Sequence, residues 1–315
     1  MRKFFAATIV LAATSIHAAQ ELKFGDVNYF LKSGEKNASL DVLSTYEKQK
    51  QSGEFTETRG VLVDTKLGYG IADNLNVYLG LNYAYDKETE NKTTTTDGSY
   101  NSDGLSNPSV AVNYRLLNQN ESRYNFDLGA VANLVVMDQE VGSATGQDVE
   151  DGNNADGQNS LELNARIGRK FNEANEWQLA GGLVYHLAGD FKQLGTGSDS
   201  DNDVEKDAFY MAFVRATYQY RPVNEFMMLL SAEYNRFGDQ DGKVKSSPAS
   251  DIKQDPYQDI HLVFQAKYLI LDNLIVKFTF REDRLEDQSL TVGGVNADVK
   301  RRRSNRFALG VDYLF

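Results

Sequence analysis

Cysteine is absent from the 315-residue chain, which holds three histidines, four prolines and one tryptophan. Without cysteine there is no disulfide framework, no thiol nucleophile and no lipidation site, so hydrogen bonds and packing must stabilise the fold. The formal net charge of −12 argues against a nucleic-acid partner. Thiol-dependent enzymes and nucleic-acid-binding proteins are therefore disfavoured from the start.

Long apolar runs are also scarce, and the one exception begins the chain. Residues 1–19 run from the basic Arg2 and Lys3 through an apolar stretch to small residues, which predicts a secretory signal peptide. Beyond it no stretch of 18 or more apolar residues remains, which excludes a transmembrane helix. A membrane β-barrel stays possible, because its strands carry only about ten residues of alternating polarity each.

Alternation of apolar and polar residues is what the chain has in abundance. Twelve segments show it, at 39–48, 59–71, 75–86, 108–117, 124–137, 160–171, 177–188, 208–221, 226–237, 257–270, 274–285 and 304–315. Short connections alternate with long polar ones. The pattern predicts an all-β fold, a transmembrane antiparallel up-and-down β-barrel of 12 strands with short periplasmic turns and long extracellular loops. Residues 38–315 would form this barrel, and residues 20–37 a periplasmic segment that could plug it.

The placement of aromatic residues and the last segment support contact of the apolar face with lipid. Aromatic residues on that face gather at both ends of the segments, as in the girdles at the two lipid–water interfaces. The last segment resembles the C-terminal strand by which outer-membrane barrels are recognised for assembly, with alternating Phe307, Leu309, Val311, Tyr313 and Phe315. The expected partners are outer-membrane lipids and lipopolysaccharide, the barrel-assembly machinery and a small-molecule solute, and the expected location is the outer membrane of a Gram-negative cell.

The opposite, polar face is expected to enclose a narrow aqueous lumen, because twelve strands lie between the filled small barrels and the open large ones. The predicted pore-lining residues are Lys66, Arg115, Asp127, Glu162, Arg166, Lys170, Arg215, Glu233, Lys277 and Arg281. They could form a salt-bridged lattice that braces the wall, or a solute path with an electrostatic constriction. Arg166, Lys170 and Arg215 are the first candidates for a basic stripe. Phe209, Met211 and Phe213 predict an apolar vestibule, or contacts with a folded loop.

Residues suited to chemistry are few. Outside the signal peptide only His186 and His261 remain, and we expect hydrogen-bonded wall residues rather than catalytic bases. Residues 199–203 imitate the start of a calcium loop, but Val204 and Tyr210 stand where such a loop needs glycine and glutamate. No cofactor, no metal and no enzymatic activity are therefore expected.

Two stretches carry a family resemblance. The hairpin GYGIADNLNVYLGLNY (68–83), followed by DGLSNPSVAVNYRLL (103–117), resembles the paired signature of outer-membrane proteins assigned to the MetA-pathway of phenol degradation. Members usually carry an acid where Asn107 stands, and a Leu-Pro-Thr-Gly stretch where this chain has NLVVMDQEVG. The resemblance implies an outer-membrane barrel that passes small compounds, aromatic ones among them, and it implies no catalytic residues.

Three classes of function stay open. The first is a passive channel for small solutes, aromatic or hydrophobic compounds among them, which the inward polar rows and the strand number favour. The second is a closed structural or surface-display barrel that acts through acidic extracellular loops such as residues 138–157. The third is a membrane hydrolase that uses one of the two histidines.

Overall fold

The computed structural model describes residues 22–51, 54–92, 97–145, 148–194, 202–245 and 251–315. The predicted signal peptide and most of the calcium-like stretch, residues 199–201, lie outside these ranges. Twelve barrel strands follow one another: β1 Lys36–Gln51, β2 Glu54–Ala72, β3 Leu75–Lys92, β4 Ser109–Leu117, β5 Asn125–Asn133, β6 Ser160–Lys170, β7 Asn175–His186, β8 Phe209–Val223, β9 Phe226–Phe237, β10 Gln258–Leu271, β11 Leu274–Leu285 and β12 Val295–Leu314. Within the described ranges no helix is long and apolar enough to cross a membrane.

Shorter strands continue the wall into the long loops. Asp97–Leu105 pairs with the far end of β3, and the others are Gln139–Val141, Ser143–Thr145, Asp148–Glu150, Gly152–Asn153, Gly189–Gln193, Asn202–Lys206, Gln240–Val244, Ile252–Gln254 and Gln288–Val292. Neighbouring loop hairpins bond to one another, as where 202–206 pairs with 240–244. The loop end of the barrel is therefore partly built of sheet.

The sheet closes on itself. Each barrel strand pairs antiparallel with the next, and β1 pairs antiparallel with β12, with Asn37 opposite Leu314. At the seam the backbones of Lys36 and Phe315 exchange two hydrogen bonds of 2.8 Å. As far as the described residues show, each of the twelve barrel strands therefore has a neighbour on both sides, which hydrocarbon demands of a spanning sheet. The predicted 12-stranded antiparallel up-and-down barrel is confirmed.

The distribution of apolar and polar side chains over the two faces of the wall is the reverse of that in a water-soluble protein. Leu79 and Leu230 point outward and are 42% and 60% exposed, whereas the polar Asn76 and Asp127 are buried inside. Side chains alternate between the faces because successive residues of a strand point to opposite sides. The proposed assembly residues Phe307 to Phe315 also lie on the exposed outer face.

The fifth predicted segment is wrong at its end. The alternation predicted a strand to residue 137, but β5 stops at Asn133. The neighbouring wall is interrupted at residues 106–108, and the amide of Leu134 makes the last bond of the ladder, to the carbonyl of Pro108 at 2.9 Å. Because proline has no amide hydrogen to pair, residues beyond Asn133 lose their neighbour on that side.

Candidate functional site: the barrel lumen

The chain before β1 folds into the barrel at the short-turn end. Within residues 22–35, Asp26, Asn28, Phe30 and Leu31 are buried. Their contacts come from the inward faces of β2, β4, β6, β7, β8 and β9, all at strand ends next to short turns. We call residues 22–35 the N-terminal segment.

Asp26 anchors the N-terminal segment to two strands. Nζ of Lys170 donates to Oδ2 of Asp26 at 2.9 Å, and Nη2 of Arg221 donates to Oδ1 at 2.6 Å. All three side chains are almost fully buried. One carboxylate thus lies between two cations in a site that excludes water.

Glu176, at the start of β7, binds the next turn of the N-terminal segment. Its carboxylate accepts hydrogen bonds from the backbone amides of Val27 (2.9 Å) and Asn28 (2.7 Å) and from the side-chain amide of Asn28 (2.7 Å). Two of the three donors are backbone amides. The backbone of the segment is therefore fixed as well as its side chains.

Arg115 on β4 joins the N-terminal segment to a third part of the wall. Its guanidinium donates two hydrogen bonds to Asp127, of 2.7 and 3.0 Å, and a third of 2.8 Å to the carbonyl of Asn28. The ring of Phe30 lies 4.5 Å from the guanidinium carbon. The predicted pore-lining pair Arg115 and Asp127 is thus part of the floor that carries the segment.

Two glycines let the N-terminal segment approach the wall. A Cβ on Gly168 would overlap Oδ1 of Asn28, and a Cβ on Gly70 would overlap the carbonyl oxygen of Lys32. Any larger residue at either position would push the segment away from its strand. Glycine here is required by close backbone approach.

A cavity of about 860 Å³ lies above the N-terminal segment. Phe24, Tyr29 and Leu31 form part of its floor, and inward side chains of β1, β2, β3, β11 and β12 line its sides. Burial and a 2.7 Å hydrogen bond to Glu35 raise the pKa of Tyr29 above its ordinary value, so its hydroxyl stays protonated. A second cavity of about 440 Å³ adjoins the first at Ser304 and Arg306.

The predicted pore-lining residues make different kinds of contact in the structure. Lys66 lines the large cavity, Arg166 donates to Oδ1 of Asn113, and Glu162 accepts from the side-chain amide of Asn164 at 2.6 Å. Their roles in a solute path stay a prediction.

Most of the remaining predicted residues form ion pairs along the wall. Nζ of Lys277 lies 2.8 Å from Asp41 and 2.6 Å from Asp312, and Arg215 pairs with Glu233. These ion pairs are of the kind expected for a salt-bridged lattice that braces the wall, which is one of the two roles that the sequence allowed for these residues.

The three candidates for a basic stripe do not form one row of unpaired cations. Lys170 is held by Asp26 at the short-turn end, and Arg215 is held by Glu233. Arg166 alone among them has no carboxylate partner within the described residues. Acidic residues from other parts of the chain therefore interrupt the predicted basic stripe. The alternation within a single strand could not predict these partners.

The predicted apolar vestibule is largely taken up by internal contacts. The ring of Phe209 stacks on His186 with centroids 4.3 Å apart, and Phe213 is buried beside Arg215. Met211 is half-buried on the same strand. These rings contact the wall, and the large cavity runs along other strands.

His261 lies in a cluster of charged groups on β9, β10 and β11. Its Nε2 is 2.8 Å from Asp259, its Nδ1 is 3.2 Å from Glu233, and Arg281 also reaches Nδ1 while pairing with Asp283. Both ring nitrogens are thus engaged. Among the described residues no group of three or more acidic, histidine or cysteine side chains is placed to hold a metal ion.

The long-loop end of the cavity is covered in part by residues 154–158. The side chain of Asn154 donates to Asn82 at 3.4 Å and accepts from Lys87 at 3.1 Å. Gln158 is buried and donates to the carbonyl of Leu187 at 2.9 Å. This stretch of the acidic loop reaches across the mouth of the lumen.

Sequence reasoning missed the residues that bind the N-terminal segment. Asp26, Asn28 and Arg221 carried no motif, and their partners lie far along the chain. Glu176 could have been found, because the alternation of β7, extended by one residue, places it on the inward face.

Comparisons of the sequence with protein families and with characterised proteins found no relative. No protein-family model matches the chain, and no characterised protein matches it in sequence. The resemblance to the MetA-pathway proteins therefore stays a prediction.

Solved structures do match. An outer membrane channel from Pseudomonas putida F1 superposes with a TM-score of 0.53 and 12% identity, covering 94% of this chain and 100% of that one. The translocator domain of the autotransporter NalP from Neisseria meningitidis gives a TM-score of 0.50 and 11% identity, covering 99% and 93%. The chain has the fold of outer-membrane β-barrels.

Proposed function

We propose that the chain is an outer-membrane channel through which small solutes pass by diffusion. The observation that carries this proposal is a polar cavity of about 860 Å³ inside a closed barrel with an apolar exterior. Exposed residues such as Leu230 favour acyl chains over water, whereas the enclosed face holds the ion pairs and amides of an aqueous path.

The N-terminal segment acts in this proposal as a plug that narrows the path. Its ion pairs with Lys170 and Arg221 and its contact with Arg115 support this role, because they hold the segment at the short-turn end of the lumen. Solutes then cross beside the docked segment, through a path narrower than the barrel itself.

The test is ion conductance of the purified protein in planar lipid bilayers. We expect small current steps from the unaltered protein and larger ones from a variant that lacks residues 22–31. Steps of equal size would mean that the segment is not a plug. Absence of current from both proteins would contradict the channel.

A closed barrel that acts through its loops is the second candidate. Asn154 and Gln158 favour it, because they hold the acidic loop across the mouth of the lumen. Removal of residues 143–153 should then abolish a surface property, such as binding to another cell or particle, without changing solute uptake. If the protein without residues 143–153 kept its surface property, the channel would be the better explanation of the structure.

A further inference from the structure

Two cations on the inward face of the barrel have no carboxylate partner among the described residues, and one of them, Lys66, lines the large cavity. Lys66 on β2 and Arg166 on β6 form no ion pair among the described residues, in contrast to Arg115, Lys170 and Lys277. Nε of Arg166 is buried without a hydrogen-bond partner. An unpaired cation in a confined space costs free energy unless an anion or water compensates it.

Two carboxylates of the inward face are bound to other cations, whereas a third, Glu162, accepts a hydrogen bond from Asn164. Asp127, which is directly opposite Arg166 on the neighbouring strand, accepts both of its hydrogen bonds of 2.7 and 3.0 Å from Arg115. Asp312 is bound to Lys277 at 2.6 Å. The positive charge of Lys66 and Arg166 is therefore available to a group that enters from the lumen.

Tyr78 lies beside Lys66, and two asparagines lead from it toward Arg166. Nζ of Lys66 lies 4.3 Å from the centroid of the Tyr78 ring, and the Tyr78 hydroxyl lies 3.5 Å from Nδ2 of Asn76. Asn76 is opposite Asn113 in the sheet, and Arg166 donates to Oδ1 of Asn113. The ring has room because it packs over Gly68, where any Cβ would lie 2.7 Å or less from two of its carbons. Its hydroxyl can donate to an acceptor held by the two cations.

The rest of the cavity wall offers neutral polar groups in place of an apolar surface. Amides and hydroxyls contribute most of the uncharged lining on β1 to β5, namely Asn37, Ser39, Thr45, Thr58, Thr65, Asn82, Ser109 and Asn133. Such groups both donate and accept hydrogen bonds. They suit a solute rich in hydroxyl groups and offer little to an aromatic hydrocarbon.

We infer that Lys66, Arg166 and Tyr78 bind the carboxylate of a small hydroxylated acid, such as a sugar acid, while the amides and hydroxyls of the cavity bind its hydroxyl groups. The inference rests on the proposed channel and names its substrate class. Charge-assisted hydrogen bonds from lysine and arginine are the strongest that a carboxylate can accept in a protein. Placed in a narrow lumen, they also select anions over cations.

The experiment measures uptake into proteoliposomes of three radiolabelled probes, namely gluconate, glucose and benzoate. We expect gluconate to enter fastest, glucose more slowly for lack of a charge, and benzoate more slowly for lack of hydroxyl groups. The variants Lys66→Gln and Arg166→Gln should each reduce gluconate uptake about three- to tenfold and leave glucose uptake unchanged. Lys66→Arg should retain most of the gluconate uptake, because it keeps the charge.

The matched control is Lys253→Gln, which removes the same charge from an exposed position in a loop strand. Equal gluconate uptake by Lys66→Gln, Arg166→Gln and this control would overturn the inference, as would faster entry of benzoate than of gluconate. In either case the channel itself would stand. No uptake of any probe by the unaltered protein would instead contradict the channel.

Discussion

Asp26 and Lys170 are 144 residues apart in the chain, yet their side chains meet at 2.9 Å. Neither is more than 2% exposed. Arg221 adds a second cation at 2.6 Å from the same carboxylate. The N-terminal segment is thus held in the lumen by charges shielded from water and salt.

Replacement of Asp26 by asparagine should release the N-terminal segment. Arg221 would keep its buried charge without a carboxylate partner, and Lys170 would keep only the longer contact with Glu173, at 3.7 Å. Removing one partner of a buried ion pair costs about 3–5 kcal/mol. We expect faster trypsin cleavage after Lys23 and Lys32 in the folded protein, together with larger current steps in bilayers.

Glu173→Gln is the control for this change. Glu173 lies 3.4 Å from Lys23 of the N-terminal segment and 3.7 Å from Lys170. Its side chain is half exposed, and pairs with an exposed partner contribute at most about 1 kcal/mol. Its cleavage rate should match that of the unaltered protein. Equal rates for Asp26→Asn and Glu173→Gln would show that the buried charges do not hold the segment.

Gly168→Ala should destabilise the docked segment by a steric route. The added methyl would overlap Oδ1 of Asn28 and lie 2.7 Å from the carbonyl oxygen of Trp177. We expect a loss of about 1–3 kcal/mol in a urea titration of the vesicle-folded protein, followed by the fluorescence of the single tryptophan. Gly181→Ala, whose nearest contact would be 3.4 Å, should change little, and equal losses in both variants would refute the packing argument.

Leu230→Arg tests whether the outer face contacts acyl chains. Leu230 is 60% exposed and lies midway between the aromatic residues Phe226 and Tyr234 of β9. An arginine near the middle of a bilayer costs about 2–4 kcal/mol in a membrane barrel. Val295→Arg, at a loop position that is 70% exposed, should cost almost nothing in the same urea titration. A similar cost at both sites would mean that Leu230 does not face lipid.

The histidines should support no hydrolysis. Both nitrogens of His261 contact carboxylates, and His186 stacks on Phe209, so neither is paired with a serine nucleophile. We expect no turnover of fluorogenic lipid or peptide substrates by the purified protein. Turnover that disappears in His261→Gln and persists in His186→Gln would contradict this and would identify the Asp259–His261 pair as its source.

Local pattern was sufficient for the wall of the barrel. Leu309 and Val311 were predicted to lie on the apolar face, and both are exposed, because the two-residue repeat of a strand depends only on backbone geometry. The end of β5 was not predictable in this way, because it depends on the interruption at Pro108 in a neighbouring strand.

For the charged residues of the lumen, the sequence predicted the face of the strand but not the partner. Phase along each strand indicated that Lys66, Lys170 and Arg215 belong to the polar face, but it could not indicate which of them meets an acid. That outcome depends on which strands lie side by side and on where the N-terminal segment docks.

The sequence by itself determined strand number, strand order and the two faces of the wall, since these follow from side-chain alternation and connection length along the chain. Only the tertiary structure decided that Asp26 pairs with Lys170, while Lys66 and Arg166 have no carboxylate partner among the described residues. The physical reason is that an ion pair requires two groups within a few ångströms, and closure of the barrel brings together residues that the chain keeps far apart.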